Sequence, residues 1–274
     1  MDADAELGAM MPGIDITSDS ITFSQSWLNT MMNCPEQARL EMVGELPRVE
    51  NDATACGSAM HAGIEAVLAG GTLTDGEGVA LATLDELMAV DGFAWVQIKT
   101  VDTLVNTLRR VYWTWANEVY PQLAGTAAVE HTFDVAIGRT PTRLVRIRGA
   151  IDYVDEIGDI WDWKTAGSFR MWEQWQVDRY KIQPTVYTYA MACDADDLET
   201  PRHFHYAVMS KAAQEHRVFS TTRGPAQWNW LAAQCEAIAL QVEADLPRWT
   251  PNDQSALCSP KWCTAWSRCK GAHL

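Results

Sequence analysis

The sequence has no apolar run approaching the roughly 20 residues that a membrane-crossing helix needs, and it contains no internal repeat or low-complexity tract. It does not open on the basic-then-apolar pattern of a secretory leader, so the chain is expected to be soluble and cytoplasmic, without a membrane partner. Cationic residues are scarce: 21 Lys and Arg face 36 Asp and Glu, for a net charge of −15. This excludes a protein that coats nucleic acid without specificity, since phosphate binding requires a basic surface. It does not exclude an enzyme acting on nucleic acid, because a local basic strip and bound divalent cations offset a distant acidic surface. The basic residues do group locally: Arg139, Arg143, Arg146 and Arg148, then Arg179 and Lys181, then Lys261, Arg268 and Lys270. Phenylalanine and tyrosine are also few, at 6 and 7, against 13 tryptophans.

Hydrophobic residues make up 47% of the 274, enough for a sizeable core in one large domain or a domain with an insertion. Without a leader, the seven cysteines argue for metal ligation over a disulfide framework wherever they cluster. Cys258, Cys263 and Cys269 cluster in a loop-rich tail, with four and five residues between successive members, as a metal centre or as buried free thiols. Cys34, in "NCPEQARL", is a candidate fourth ligand. Cys56, Cys193 and Cys235 lie in helix-like segments and read as packed thiols.

Residues 1–20 are small, acidic and Gly/Pro-bearing, and read as a flexible tail. A helix is expected from an N-cap at Ser24 to a break at Pro35, and another across "ATACGSAMHAGIEAVLAGG", closed by Gly70-Gly71. Two more amphipathic helices follow at about 77–90 and 96–119. The period then changes to two: "AVEHTFDVAIG", "TRLVRIRGAIDYVD" and "DIWDWKT" read as a three-strand meander. A helix at about 171–192, the strands "RHFHYAVMS" and "EHRVFSTT", and a helix at about 225–245 complete the order. The pattern predicts an α/β sheet with helical additions, in a single domain.

In "WDWKTAG", Asp162 and Lys164 share one strand face while Trp161 and Trp163 take the other. Alone, the pair is an ordinary surface ion pair, contributing about 0–1 kcal/mol. The preceding "YVDEIGDIW" predicts a three-residue hairpin loop, Glu156-Ile157-Gly158, closed by Asp155 and Asp159. Counting back along both strands sets Asp152 beside Asp162. Two neighbouring acids and a lysine are costly as pure structure and sensible as a divalent-cation site. His61 and Glu65 share a helix face, as do Gln183 and Tyr187; a lone helical histidine or a polar helix edge also fits ordinary packing.

The ordered set "GSAMH", "GAID", "DWK" and "QPTVY" resembles the RecB-type nucleases of the PD-(D/E)XK superfamily. It looks most like the branch of CRISPR-associated RecB-like exonucleases and their phage relatives, over about residues 20–270. The resemblance implies a restriction-endonuclease-like mixed sheet flanked by helices, with a helical insertion at about 70–125 and a cysteine-rich cap of residues 250–274 plus Cys34. It implies metal-assisted phosphodiester hydrolysis, with Asp152 and Asp162 ligating Mg²⁺ or Mn²⁺, helped by His61 and the Trp163 main-chain carbonyl. Lys164 would orient or deprotonate the attacking water, while Gln183 and Tyr187 position lysine and substrate. Thr165 is a candidate phosphate contact; Trp172 and Trp175 are candidates for stacking on unpaired bases, or for core packing. One departure is Pro184, which inside a helix would cost about 3 kcal/mol and kink it.

Relatives of this kind hold a [4Fe–4S] cluster with one cysteine before the nuclease motifs and three after, the layout of Cys34 with Cys258, Cys263 and Cys269. The four residues between Cys258 and Cys263, against the usual two, leave Zn²⁺ as the alternative. The implied activity is an exonuclease on DNA ends or single strands, 5′-to-3′, in recombination, repair or replication, with proteins of those processes as partners and a host-cytoplasm location if phage-encoded. The alternative is a DNA-end-binding or CRISPR-adaptation module with an idle nuclease centre.

Overall fold

The computed structural model describes residues 13–46, 49–255 and 257–273. Two compact units interleave along the chain: Met1–Pro47, Asp134–Gly149 and Asn229–Leu274 form one, Arg48–Phe133 and Ala150–Trp228 the other.

In the first unit, β1 (Ile14–Ile16) pairs antiparallel with β2 (Ser20–Ser24), which runs parallel to the start of β4 (Leu144–Val154). Residues 13–20 were expected in the tail; the structure corrects this for β1 and the start of β2, while residues 1–12 lie outside the described residues. Three buried apolar side chains, Ile14, Ile21 and Phe23, hold these short strands in place. Ser24 ends β2 and caps α1 (Gln25–Asn33), accepting the Trp27 N–H, a contact worth about 1 kcal/mol. Pro35 opens α2 (Pro35–Met42) directly after Cys34.

The arginine run does not form a free basic strip. Arg143 pairs with Glu243, Arg146 with Asp134 and Arg148 with Asp15.

In the second unit, α3 (Asp52–Leu68) and α4 (Leu73–Met88) each start with a reciprocal capping box, Asn51 with Thr54 and Thr72 with Asp75. Their backbones touch: a Cβ on Gly63 would come within 2.6 Å of the Gly76 carbonyl oxygen. α5 (Val101–Thr114) continues into a π-helical turn, Trp115–Val119. Buried residues of these helices form one core with Tyr153, Trp161 and Trp163 of the sheet.

β3 (Ala128–Arg139) pairs with β4; β4 is antiparallel to β5 (Ile160–Ala166), β5 parallel to β6 (Arg202–Ser210), and β6 antiparallel to β7 (His216–Arg223). The ladder order β1-β2-β4-β5-β6-β7, with β3 off β4, makes a seven-stranded mixed sheet flanked by helices.

The segment expected as one helix over 171–192 is three pieces: a 3₁₀ turn (Phe169–Met171), α6 (Gln174–Tyr180) and α7 (Gln183–Asp194). α8 (Pro225–Glu243) follows β7. Pro184 sits in the first turn of α7, where a missing N–H costs nothing, so it starts a helix instead of kinking one.

Candidate active site

The site begins with the β4–β5 hairpin. Asp155 N–H donates to the Asp159 carbonyl at 3.0 Å, Gly158 N–H donates to the Asp155 carbonyl at 3.0 Å, and Gly158 takes φ +89°. The ladder pairs Tyr153 with Trp161 and Val154 with Ile160, and this register sets Asp152 across from Asp162. Asp152 Oδ2 accepts the Trp163 N–H at 2.9 Å. On the opposite face Trp163 is 1% exposed and packs against Trp115, Tyr153 and Trp161. Burying such a ring is worth on the order of 4–6 kcal/mol at ~25 cal/mol per Å². That is comparable to the several kcal/mol (on the order of 5) lost in desolvating a carboxylate, so the tryptophans can hold Asp162 where it would not sit alone.

Asp162 is fully buried. Its Oδ1 accepts from Gln183 Nε2 at 2.7 Å, and its Oδ2 is held by the Lys164 ammonium in a hydrogen-bonded ion pair. Burial raises the Asp162 pKa against the pull of Lys164, and Asp152 adds to the rise. Burial works against the Lys164 ammonium too, but Asp162 and Asp152 outweigh it and hold its pKa above the ordinary lysine value.

Gln183 Nε2 also donates to the Tyr187 hydroxyl at 2.8 Å, and Gln183 Oε1 accepts from the Tyr206 hydroxyl at 3.2 Å. Burial pushes both tyrosines well above their usual pKa, with Asp162 adding to it, so they remain neutral hydroxyls. Tyr206, on β6, was not legible as a site residue: "RHFHYAVMS" reads only as an alternating strand.

From α3, His61 Nε2 lies 2.7 Å from the Trp163 carbonyl oxygen. A carbonyl cannot donate, so Nε2 carries the proton and the neutral ring keeps its lone pair on Nδ1, 3.4 Å from Asp152 Oδ2. Burial favours that neutral form, lowering the His61 pKa against the pull of Asp152. The Trp163 main-chain carbonyl accepts this bond and so orients the imidazole, with a second lone pair left over.

Glu130, on β3, was missed. Ligand atoms of His61, Glu130 and Asp152 all lie within 4.8 Å of one another. Glu130 has φ +47°, a left-handed backbone uncommon for a side chain of its kind, and strain of this sort gathers at functional sites. Burial, then Asp152 and Glu65, push its carboxyl up to about 7. Carboxylate oxygens and one imidazole nitrogen suit a hard divalent cation, so the residues present fit the Mg²⁺ or Mn²⁺ that the resemblance implies.

Thr165 is half-buried, next after Lys164 on β5. Trp172 is half-buried, with its ring against Tyr206 and Phe219 and the Lys181 ammonium 4.5 Å from its centroid. Trp175 is 51% exposed.

The four cysteines expected to act together, Cys34, Cys258, Cys263 and Cys269, are in the first unit. The Trp249 N–H donates to Glu36, Asn252 Nδ2 donates to the Asn33 carbonyl, and Asn252 N–H reaches Cys34 Sγ at 3.5 Å. These contacts bring the chain end to the α1–α2 junction, where Cys34, Cys258, Cys263 and Cys269 line one pocket. Burial raises the Cys263 and Cys269 thiols, and the charge of the other cysteines adds to it. Thiol sulfur is the donor type of iron–sulfur clusters and of structural Zn²⁺ sites alike. Cys56 and Cys235 are buried, as packed thiols should be; Cys193 is only partly so.

No curated protein matches the chain. A crystal structure of a "putative exonuclease" from Eubacterium rectale is similar in fold, at a TM-score of 0.54 and 11% identity over 86% of each chain. The sequence model of the PD-(D/E)XK nuclease superfamily matches residues 22–270. The chain belongs to the PD-(D/E)XK nuclease superfamily.

Proposed function

We propose that the chain is a divalent-metal-dependent deoxyribonuclease that hydrolyses DNA from ends or within single strands. The observation that carries this is a fully buried Asp162 bracketed by Lys164 and Gln183, with Asp152, Glu130 and His61 converging beside it. Mg²⁺ or Mn²⁺ held by Asp152, Asp162, Glu130 and His61 would lower the pKa of a bound water and offset charge on the scissile phosphate. Lys164, kept cationic by its two carboxylates, orients the attacking water and stabilises negative charge as it develops. Gln183 fixes the Asp162 carboxylate through Oδ1, and Tyr187 and Tyr206 fix Gln183. Thr165, next after Lys164 on β5, is the candidate phosphate contact in this reading.

The reading extends to an exonuclease of the RecB-like branch, acting 5′-to-3′ in recombination, repair or replication. Helices α4 and α5 serve as its insertion, and Cys34, Cys258, Cys263 and Cys269 hold a [4Fe–4S] cluster that pins the chain end; anaerobic metal analysis giving zinc without iron contradicts the cluster. A DNA-binding module with an idle centre is disfavoured by the intact Asp152, Asp162 and Lys164. The activity is tested on end-labelled single- and double-stranded DNA with Mg²⁺ or Mn²⁺. Cleavage lost in Lys164→Ala supports it; no cleavage, or equal cleavage by the variant, contradicts it.

A further inference from the structure

Between β5 and α7, residues 167–181 leave the sheet as the 3₁₀ turn and α6 and place aromatic and basic side chains on the surface. Trp175 and Tyr180 are 51% and 71% exposed and meet edge to face, with ring centroids 5.7 Å apart. Two large rings left this open contribute little to folding, and their outer faces remain free. Arg170 and Arg179 are exposed and have no ion pair among the described residues, unlike Arg143, Arg146 and Arg148. The acids of the segment are turned to local bonds: Asp178 accepts from Gln174 and Thr221, and Glu173 caps α6. On a chain of net charge −15, this is a local reversal of sign.

The segment is continuous with the site. Lys181 lies over Trp172, Trp172 meets Tyr206 edge to face at 5.2 Å, and Tyr206 bonds Gln183, which holds Asp162. Burial and the charge of Lys164 both lower the Lys181 pKa.

We propose that residues 169–181 form a track for single-stranded nucleic acid, with Trp175 and Tyr180 stacking on unpaired bases while Arg179 and Lys181 take phosphates next to the one being cut. Every base has a π face and every nucleotide a phosphate, so exposed rings interleaved with cations grip a strand regardless of sequence. A duplex, whose bases are already stacked, cannot use the rings. The track rests on the nuclease reading only for what it feeds.

The test is fluorescence anisotropy in EDTA with a dye-labelled oligothymidylate and a blunt duplex of equal length. Trp175→Ala/Tyr180→Ala is expected to weaken oligothymidylate binding about tenfold or more and leave duplex affinity within about twofold. Trp175→Phe/Tyr180→Phe should restore most of the loss. Lys181→Met should make the slope of log K against log salt shallower by roughly 0.7. No binding of oligothymidylate by the wild type, unchanged affinity in the double alanine variant, or an equal loss on duplex overturns the proposal. A parallel cleavage assay separates the two readings. If the wild type cuts nothing but the double alanine variant loses oligothymidylate, the track stands and the nuclease reading falls. If the wild type cuts and the variant binds as it does, the reverse holds.

Discussion

Gln183 Nε2 donates to Asp162 Oδ1 at 2.7 Å, and it can do so because Pro184 starts a helix there. The chain turns at Lys181-Ile182, Pro184 occupies the first turn of α7, and Gln183 becomes the helix's leading residue over the end of a buried carboxylate.

Removing that donor leaves a buried acceptor unpaired, which costs roughly 1–3 kcal/mol, or more for a charged group. Gln183→Ala is expected to lower the thermal midpoint and reduce kcat, while Tyr206→Phe, which removes a hydroxyl one bond further out, costs less in both. Thermal unfolding and steady-state cleavage check the order; an equal or larger loss in Tyr206→Phe contradicts it.

Pro184→Ala tests the start of α7. A proline that kinked a helix would be destabilising, and its removal would stabilise the protein by about 3 kcal/mol. A proline suited to the first turn restrains the unfolded chain instead, so its removal should cost about 0.4–1 kcal/mol with cleavage preserved. Denaturant unfolding decides between the two signs.

Glu130→Gln keeps the size of the side chain and removes one carboxylate from the group with His61 and Asp152. Calorimetric titration with Mn²⁺ should show at least about tenfold weaker binding, in the range seen when metal-supporting residues are lost. Affinity equal to wild type would place Glu130 outside the metal site.

Glu243 supplies a pH signature in the first unit. Hydrogen bonds from Thr142, Thr140 and Arg143 hold its carboxyl below the ordinary value against a small penalty from burial. A lowered folded pKa gives stability that is fully present above the unfolded value, about 4.5, and is lost as pH falls through the folded one. Wild type should therefore exceed Glu243→Gln in stability at pH 7, and the two curves should converge under acid. Urea unfolding across pH reads this; parallel curves would contradict it.

Much of the geometry was legible because it is local. The alternation in "WDWKTAG" and the glycine at 158 fix a hairpin, and the hairpin count alone sets Asp152 across from Asp162. The gathering of His61, Asp162, Lys164, Gln183 and Tyr187 was not local, and came from the ordered motifs that resemble a known family. What neither source supplied depends on contacts distant in sequence. Glu130 looks like any outward residue of an alternating strand until β3 lies beside β4 and its backbone turns left-handed. The arginine run looked basic because Asp15 and Glu243, which neutralise two of its members, lie far away in sequence on either side. β1 and β2 were hidden because three inward side chains in short strands carry too little periodicity to stand out from a polar tail.

The most direct measurement is an anomalous difference map from crystals of the wild-type chain grown or soaked in Mn²⁺. A peak is expected within coordination distance of Asp152, Asp162, Glu130 and His61 Nδ1. A map without a peak there, or with manganese bound only elsewhere, would contradict the account.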